Sequence, residues 1–341
     1  MNICATGISL RGPIKPQNTD AFCVKVAATS FGECSLLALS SGAPHAYNGE
    51  LASAMFVQAC SAWFEQEMPN IVQVCQGNVE FMKQLLHVEL DAFMQKQNRL
   101  LFCYGAENKF SFWASCAVFC AWKEHFICVC AGSVAILSIK NTISNVLYLK
   151  RTNCDENNAT YNVARGFVSV EPTEEGLAGD YLGANPIATL HFYDGKLEEN
   201  TNYLLANSAF VQELAQDEFN SFLSPAVLDR YEENIAEQEV SPALEAAPAQ
   251  SAAFMQEFAT APELAPAQNI ALMQEAAPAQ GAALMQEPAS EQEAPPTQDL
   301  LNTPELTAIK EQLTNVANML IARGEKNTLC AVMLRARGGD A

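Results

Sequence analysis

Positive charge is scarce in this chain, and the scarcity is uneven. Of 341 residues, 19 are Lys or Arg against 39 Asp or Glu, a formal net charge of −20. Between Tyr231 and Ile309 there is no Lys or Arg. Such a chain repels phosphate backbones and anionic headgroups, so neither nucleic acid nor a membrane is an expected partner. No run of about 18 apolar residues is present, which excludes a membrane-spanning helix. The first residues, MNICATGISLRGPIK, lack a charged stretch followed by an apolar one, so no signal peptide is expected. The twelve cysteines include no Cys-x-x-Cys pair. Without an export signal they point to a reducing, cytoplasmic location. Cys128 and Cys130 are two apart in a strand-like run, and Cys116 and Cys120 lie in a similar one. All four read as thiols packed in the core as small apolar groups.

What the chain does have is apolar residues, 49% of the total, enough for a sizeable core. They follow clear periods. Ile3–Ser9 and Ala21–Val26 alternate around a turn at Arg11-Gly12-Pro13. Leu36–Leu39 stops at Ser40-Ser41-Gly42, a loop with Asn48-Gly49 follows, and a helix is expected from Glu50 to about Gln66. A second helix is expected from about Asn78 to Gln97. Phe112–Trp122, His125–Ala131, Ala135–Ile139 and Val146–Leu149 read as strands. Asn202–Ala206 reads as another, leading into a helix near Phe210.

From about Glu232 the composition turns to Ala, Pro, Gln and Glu. Ala-Pro-Ala-Gln blocks ending at Gln250, Gln268 and Gln280 are each followed, at one interval, by Met-Gln-Glu starting at Met255, Met273 and Met285. The unit of about twelve residues is too short and too Pro-rich for a solenoid, and cannot bury enough apolar surface to offset the entropy of ordering. Residues 232–300 are therefore expected to be a disordered acidic insert. Order returns at Thr303-Pro304-Glu305, a Thr cap with Pro in the first turn. A helix to Gly324 and a strand over Asn327–Leu334 follow. One domain, 1–231 plus 301–336, is expected, with 337–341 as a flexible tail.

Five short motifs occur in order. They are Lys15-Pro16-Gln17-Asn18-Thr19-Asp20 before Ala21-Phe22; Ser41-Gly42 before Gly49-Glu50-Leu51-Ala52-Ser53; Ala131-Gly132-Ser133-Val134-Ala135; Leu204-Leu205-Ala206-Asn207-Ser208-Ala209-Phe210; and Gly324-Glu325-Lys326-Asn327-Thr328. In order and in strand-to-loop context they resemble the metal-dependent serine/threonine protein phosphatases, the PPM or type 2C family, in their bacterial form. There the motifs read G-x-x-R-x-x-N-E-D, D-G-x-G-G with G-E-x-A-S, G-D-S-R-A, L-L-x-S-D-G-L and G-x-x-D-N-x-T. The resemblance implies an α+β fold, a four-layer α–β–β–α sandwich of two antiparallel sheets flanked by helices.

The resemblance also implies a site that has decayed. Family members hold two Mg²⁺ or Mn²⁺ ions on carboxylates, which activate water for attack on phosphorus. The matching positions here are Thr19 with Asp20, Ser41 beside Gly42, Ser208 and Lys326, so Asp20 is the one carboxylate left to bind metal. Lys15 stands at the phosphate-binding Arg, with the charge but not the bidentate fork. No cofactor is expected, and Mg or Mn only if activity survives. The implied function is a catalytically inactive phosphatase-like domain, a pseudophosphatase, serving as a binding or regulatory module in serine/threonine phosphorylation signalling. Its implied partner is a phosphorylated or signalling protein. The alternative is a weakly active Mg/Mn-dependent phosphatase acting on phosphoserine or phosphothreonine. It would need substitute ligands such as Asp155, Asp180, His191 or Asp194. Ser40, Ser41 or Ser208 with His45 is a weaker possibility still, with no third partner for a nucleophile and base.

Overall fold

A computed structural model of the chain describes residues 2–43, 46–140, 143–149, 181–212, 214, 216–240 and 303–337. One compact unit comprises Met1–Glu237 and Leu301–Ala341, and Gln238–Leu300 forms a second unit. The repeat blocks lie outside the described residues, as do His45, Asp155 and Asp180.

The strands are β1 (Asn2–Leu10), β2 (Asp20–Thr29), β3 (Gly32–Gly42), β4 (Ala114–Trp122), β5 (His125–Ala131), β6 (Val134–Lys140), β7 (Ile143–Leu149), β8 (His191–Lys196), β9 (Thr201–Asn207) and β10 (Leu329–Arg337). They form two five-stranded antiparallel sheets, ordered β1-β10-β9-β6-β7 and β2-β3-β4-β5-β8. Helices α1 (Gly49–Cys75) and α2 (Val79–Asn108) cover the second sheet. Helices α3 (Ser208–Gln212), α4 (Gln216–Leu223), α5 (Pro225–Val240) and α6 (Pro304–Ala322) belong with the first.

The unbroken apolar runs follow from this layering, because a strand with both faces covered has no polar side. On β3, Leu36 and Ala38 enter the core beneath α1 and α2, while Leu37 and Leu39 enter the core between the sheets. On β4, Val118 and Cys120 take the helix side, and Ala117, Phe119 and Ala121 the inter-sheet side. From the opposite sheet, Leu205 and Val332 face the same inter-sheet core, while Leu204 and Met333 face α6. Cys128 and Cys130 share the inter-sheet face, and Cys116 and Cys120 the helix face.

Several boundaries differ from the sequence expectation. β1 and β2 are two strands around a turn, as expected, but β1 pairs with β10 and β2 with β3, so they sit in different sheets. Helix α1 passes through Pro69 to Cys75. Pro69 is exposed, so water can satisfy the carbonyl it leaves free, while Met68, Ile71, Val72 and Cys75 stay buried. Helix α2 extends to Asn108 because Leu101 and Gly105 continue its buried face. β8 was not foreseen; its Asp194, Gly195 and Lys196 mask an edge strand that pairs with β5. Nor were α4 and α5, and the composition break at Glu232 falls inside α5.

Thr303 caps α6 through its hydroxyl, which accepts from the Leu306 N–H at 3.3 Å. An ion cluster around the buried Arg335 then ties α5 and α6 to β10. Arg335, 1% exposed, donates to Asp229 Oδ1 at 2.5 Å and to Glu232. Arg337 reaches Asp229 at 3.0 Å, Glu232, and Glu305 Oε1 at 3.4 Å. Burial pushes the Glu305 carboxyl up. Arg335→Met leaves Asp229, Glu232 and Glu305 to share Arg337 and removes two charge-assisted hydrogen bonds, which should lower unfolding free energy by about 2 kcal/mol. Urea denaturation of the two proteins measures this.

Candidate functional site

Asp20 opens β2, and its register partner on β3 is Ser41. Burial of Leu37 and Leu39 between the sheets fixes β3, so the strand ends at Ser41-Gly42 by register. From the other sheet, Asn207 ends β9 and Thr328 immediately precedes β10. These ends converge on one carboxyl group.

Asn207 Nδ2 donates to Asp20 Oδ2 at 2.6 Å and to the Thr328 carbonyl at 2.8 Å. The amide is oriented by its other end, because Asn207 Oδ1 accepts from the Phe210 N–H at 3.0 Å and so caps α3. Thr19 Oγ1 donates to Asp20 Oδ1 at 3.3 Å and lies 3.1 Å from Thr328 Oγ1. The Ser41 hydroxyl, across the ladder from Asp20, also favours the charged carboxyl group. Around it, the Asp20 N–H donates to Asn18 Oδ1 at 3.1 Å, and Asn18 Nδ2 donates to Ser9 Oγ at 2.8 Å. Asp20 is 7% exposed. Burial raises its pKa, and the bonds from Ser41, Thr328, Thr19 and Asn207 offset part of that rise.

Glycine holds the neighbouring loop. A Cβ on Gly42 would stand 2.7 Å from Gly49 Cα, and one on Gly49 would stand 2.9 Å from Gly42 Cα. The Gly42 N–H donates to the Thr19 carbonyl at 3.0 Å. Ser40 donates to the Ser115 carbonyl at 3.0 Å, and Ser115 Oγ accepts from the Ser133 N–H at 2.9 Å. This places the Gly132-Ser133 turn beside the β3 end.

The structure brings together Thr19, Asp20 and Ser41. Ser208 opens α3 one residue past Asn207. Lys326 is exposed in the turn before β10, its backbone N–H donating to Glu325 Oε1 at 2.7 Å. Lys15 is half-buried in the β1–β2 loop. Asp194 pairs with Lys83, and His191 starts β8 at the sheet edge. Asn207 and Thr328 were missed as site residues. The available signal was Asn207 as a capping residue between a strand and a short helix.

Among the described residues, no three His, Cys, Asp or Glu side chains gather as metal ligands. The donor set at Asp20 is one carboxylate, three hydroxyls and an amide that turns its N–H₂ inward. Hard divalent ions need several oxygen acceptors with negative charge among them, so these residues do not fit a pair of Mg²⁺ or Mn²⁺ ions.

No family model matches the chain, and no curated protein matches it. Solved structures do. A bacterial serine phosphatase matches with a TM-score of 0.58 at 12% identity, over 100% of both chains. The serine/threonine phosphatase Stp1 of Staphylococcus aureus matches at 0.55 and 11%, over 99% of this chain and 96% of that one. The catalytic domain of the serine threonine protein phosphatase PstP, solved with two manganese ions, matches at 0.53 and 12%, over 98% and 99%. The fold is therefore that of the bacterial PPM phosphatases, with two antiparallel sheets and flanking helices.

Two predictions rest on this geometry. Because the folded state raises the Asp20 pKa, it binds the proton more tightly than the unfolded chain does. That contribution to stability is complete below the unfolded value, 3.8, and is lost as pH rises through the higher folded value. Asp20→Asn keeps the shape without the charge. Its stability relative to wild type should rise with pH from about 4 upward, with urea midpoints measured across pH as the check. Gly42→Ala should cost about 2 kcal/mol by the same denaturation assay, since the Gly49 backbone must move.

Proposed function

We propose that this chain is a phosphatase-like domain without metal-dependent catalysis, working as a binding or regulatory module in serine/threonine phosphorylation signalling. One observation carries the reading. The surviving carboxylate, Asp20, is enclosed by neutral donors, with the Asn207 amide N–H₂ at 2.6 Å. In-line attack on a phosphate needs an activated water and positive charge to stabilise the departing oxygens. Here the carboxyl group is spent holding the two sheets together. The proposed partner is a phosphorylated or signalling protein, engaged at the strand ends around Asp20. Lys15, in the β1–β2 loop, is the cation we assign to a phosphate there.

The test is hydrolysis of p-nitrophenyl phosphate with excess Mn²⁺, alongside calorimetric titration of the protein with Mn²⁺. The expected result is no Mn²⁺-dependent turnover and no tight binding of two ions. Mn²⁺-dependent turnover that disappears in Asp20→Ala would overturn the reading in favour of a weakly active phosphatase.

A further inference from the structure

The outer face of the α1–α2 hairpin carries apolar side chains that the core does not use. Tyr47 is 60% exposed, Leu51 40%, Met55 37%, Leu100 50% and Tyr104 38%. They form one surface rather than scattered points. Phe56 and Trp63 of α1 both pack against Phe93 of α2, at 6.2 and 5.7 Å between rings. The helices are joined by a short turn and run antiparallel, so the start of α1 lies beside the end of α2. Leu51 and Met55 stand four residues apart along one edge, Tyr47 in the loop just before α1, and Leu100 and Tyr104 four apart along the other. Phe110 closes the gap, its ring 4.8 Å from Tyr47 and 5.8 Å from Tyr104. Gathered exposure of this kind marks an interaction surface.

Charge indicates what it receives. Lys96, Arg99 and Lys109 border the patch, and all three are exposed. None forms an ion pair among the described residues. From Lys96 to Lys109 they meet one acid, Glu107, in a chain where acids outnumber bases 39 to 19. A second copy docked symmetrically would set these three cations against themselves. An anionic membrane would meet the net charge of −20.

We propose that this face docks an acidic amphipathic peptide segment of a partner protein. Its aliphatic or methionine side chains would sit among Tyr47, Leu51, Met55, Leu100 and Tyr104. Its carboxylates would meet Lys96, Arg99 and Lys109. The proposal stands independently of the state of the Asp20 site.

Fluorescence anisotropy of the full chain tests it, using a labelled synthetic helix-patterned peptide of Leu, Met and Glu. The same peptide with Lys in place of every Glu is the control. The acidic peptide should bind more weakly as salt rises, and the basic one should not bind. Leu100→Ser with Tyr104→Ser, and separately Lys96→Glu with Arg99→Glu, should each weaken binding at least about tenfold. Tyr104 also packs on Phe112, at 4.7 Å between rings, so the first variant loses some thermal stability, and circular dichroism at the assay temperature confirms that both variants are folded. Absence of binding, equal binding of both peptides, or undiminished binding by both variants would overturn the proposal. So would a dimer in sedimentation that Leu100→Ser with Tyr104→Ser dissociates, or co-flotation with phosphatidylserine vesicles that the same variant abolishes.

Discussion

The structure depends on two sheets whose central strands have almost no solvent face. Strands β3, β4 and β10 are buried along nearly their whole length, one side against helices and the other against the opposing sheet. Sheets packed face to face keep their spacing only if the facing side chains interdigitate, as Leu37, Phe119, Tyr203 and Val332 do here. Every backbone group in these strands must be satisfied within its ladder, because no water reaches it. Polar chemistry is thereby driven to the strand ends. The β2 start, the β3 end, the β9 end and the approach to β10 meet there, and a single carboxyl group joins them.

That carboxyl group shows which force prevails in such a place. Burial alone makes an ion costly, and no cation pairs with Asp20 among the described residues. Neutral donors recover part of the cost, and they come from both sheets. Thr19 and Ser41 lie beside Asp20, and Asn207 and Thr328 lie across from it. A network of this composition gives directional bonds between the sheets without the repulsion of clustered acids. By contrast, the Arg335 cluster joins its layers with full charges, two arginines and three carboxylates, at the helix side of β10.

Much of the frame was legible because burial on both faces writes itself as continuous apolar runs. β5 matched at both ends, and the Thr303-Pro304 start of α6 is a local signal with a local cause. Segments whose placement depends on distant partners were not legible. Nothing within Ile3–Val26 says that β1 pairs with residues more than three hundred positions away. Helix α1 outruns Pro69 because tertiary burial outweighs one lost hydrogen bond. β8 ends in the turn-like Asp194-Gly195-Lys196 and is a strand along its length because β5 offers a ladder. At the site, Thr19, Asp20 and Ser41 were visible as motif positions. Asn207 and Thr328 lay within the motifs but were not picked out as site residues, because their part comes from geometry across the sandwich.

The motif residues of this chain divide by physical role. Gly42 and Gly49 stand so close that a methyl group on either would collide with the other's backbone, so their identity is fixed by packing whatever the site does. Leu36–Leu39 is likewise fixed by the two cores it fills. The side chains facing Asp20 are under a different constraint. They must be small, polar and able to donate to a buried carboxyl group, and hydroxyls or an amide meet that requirement better than more carboxylates would. A frame held by sterics and strand ends lined by neutral donors are therefore compatible within one fold.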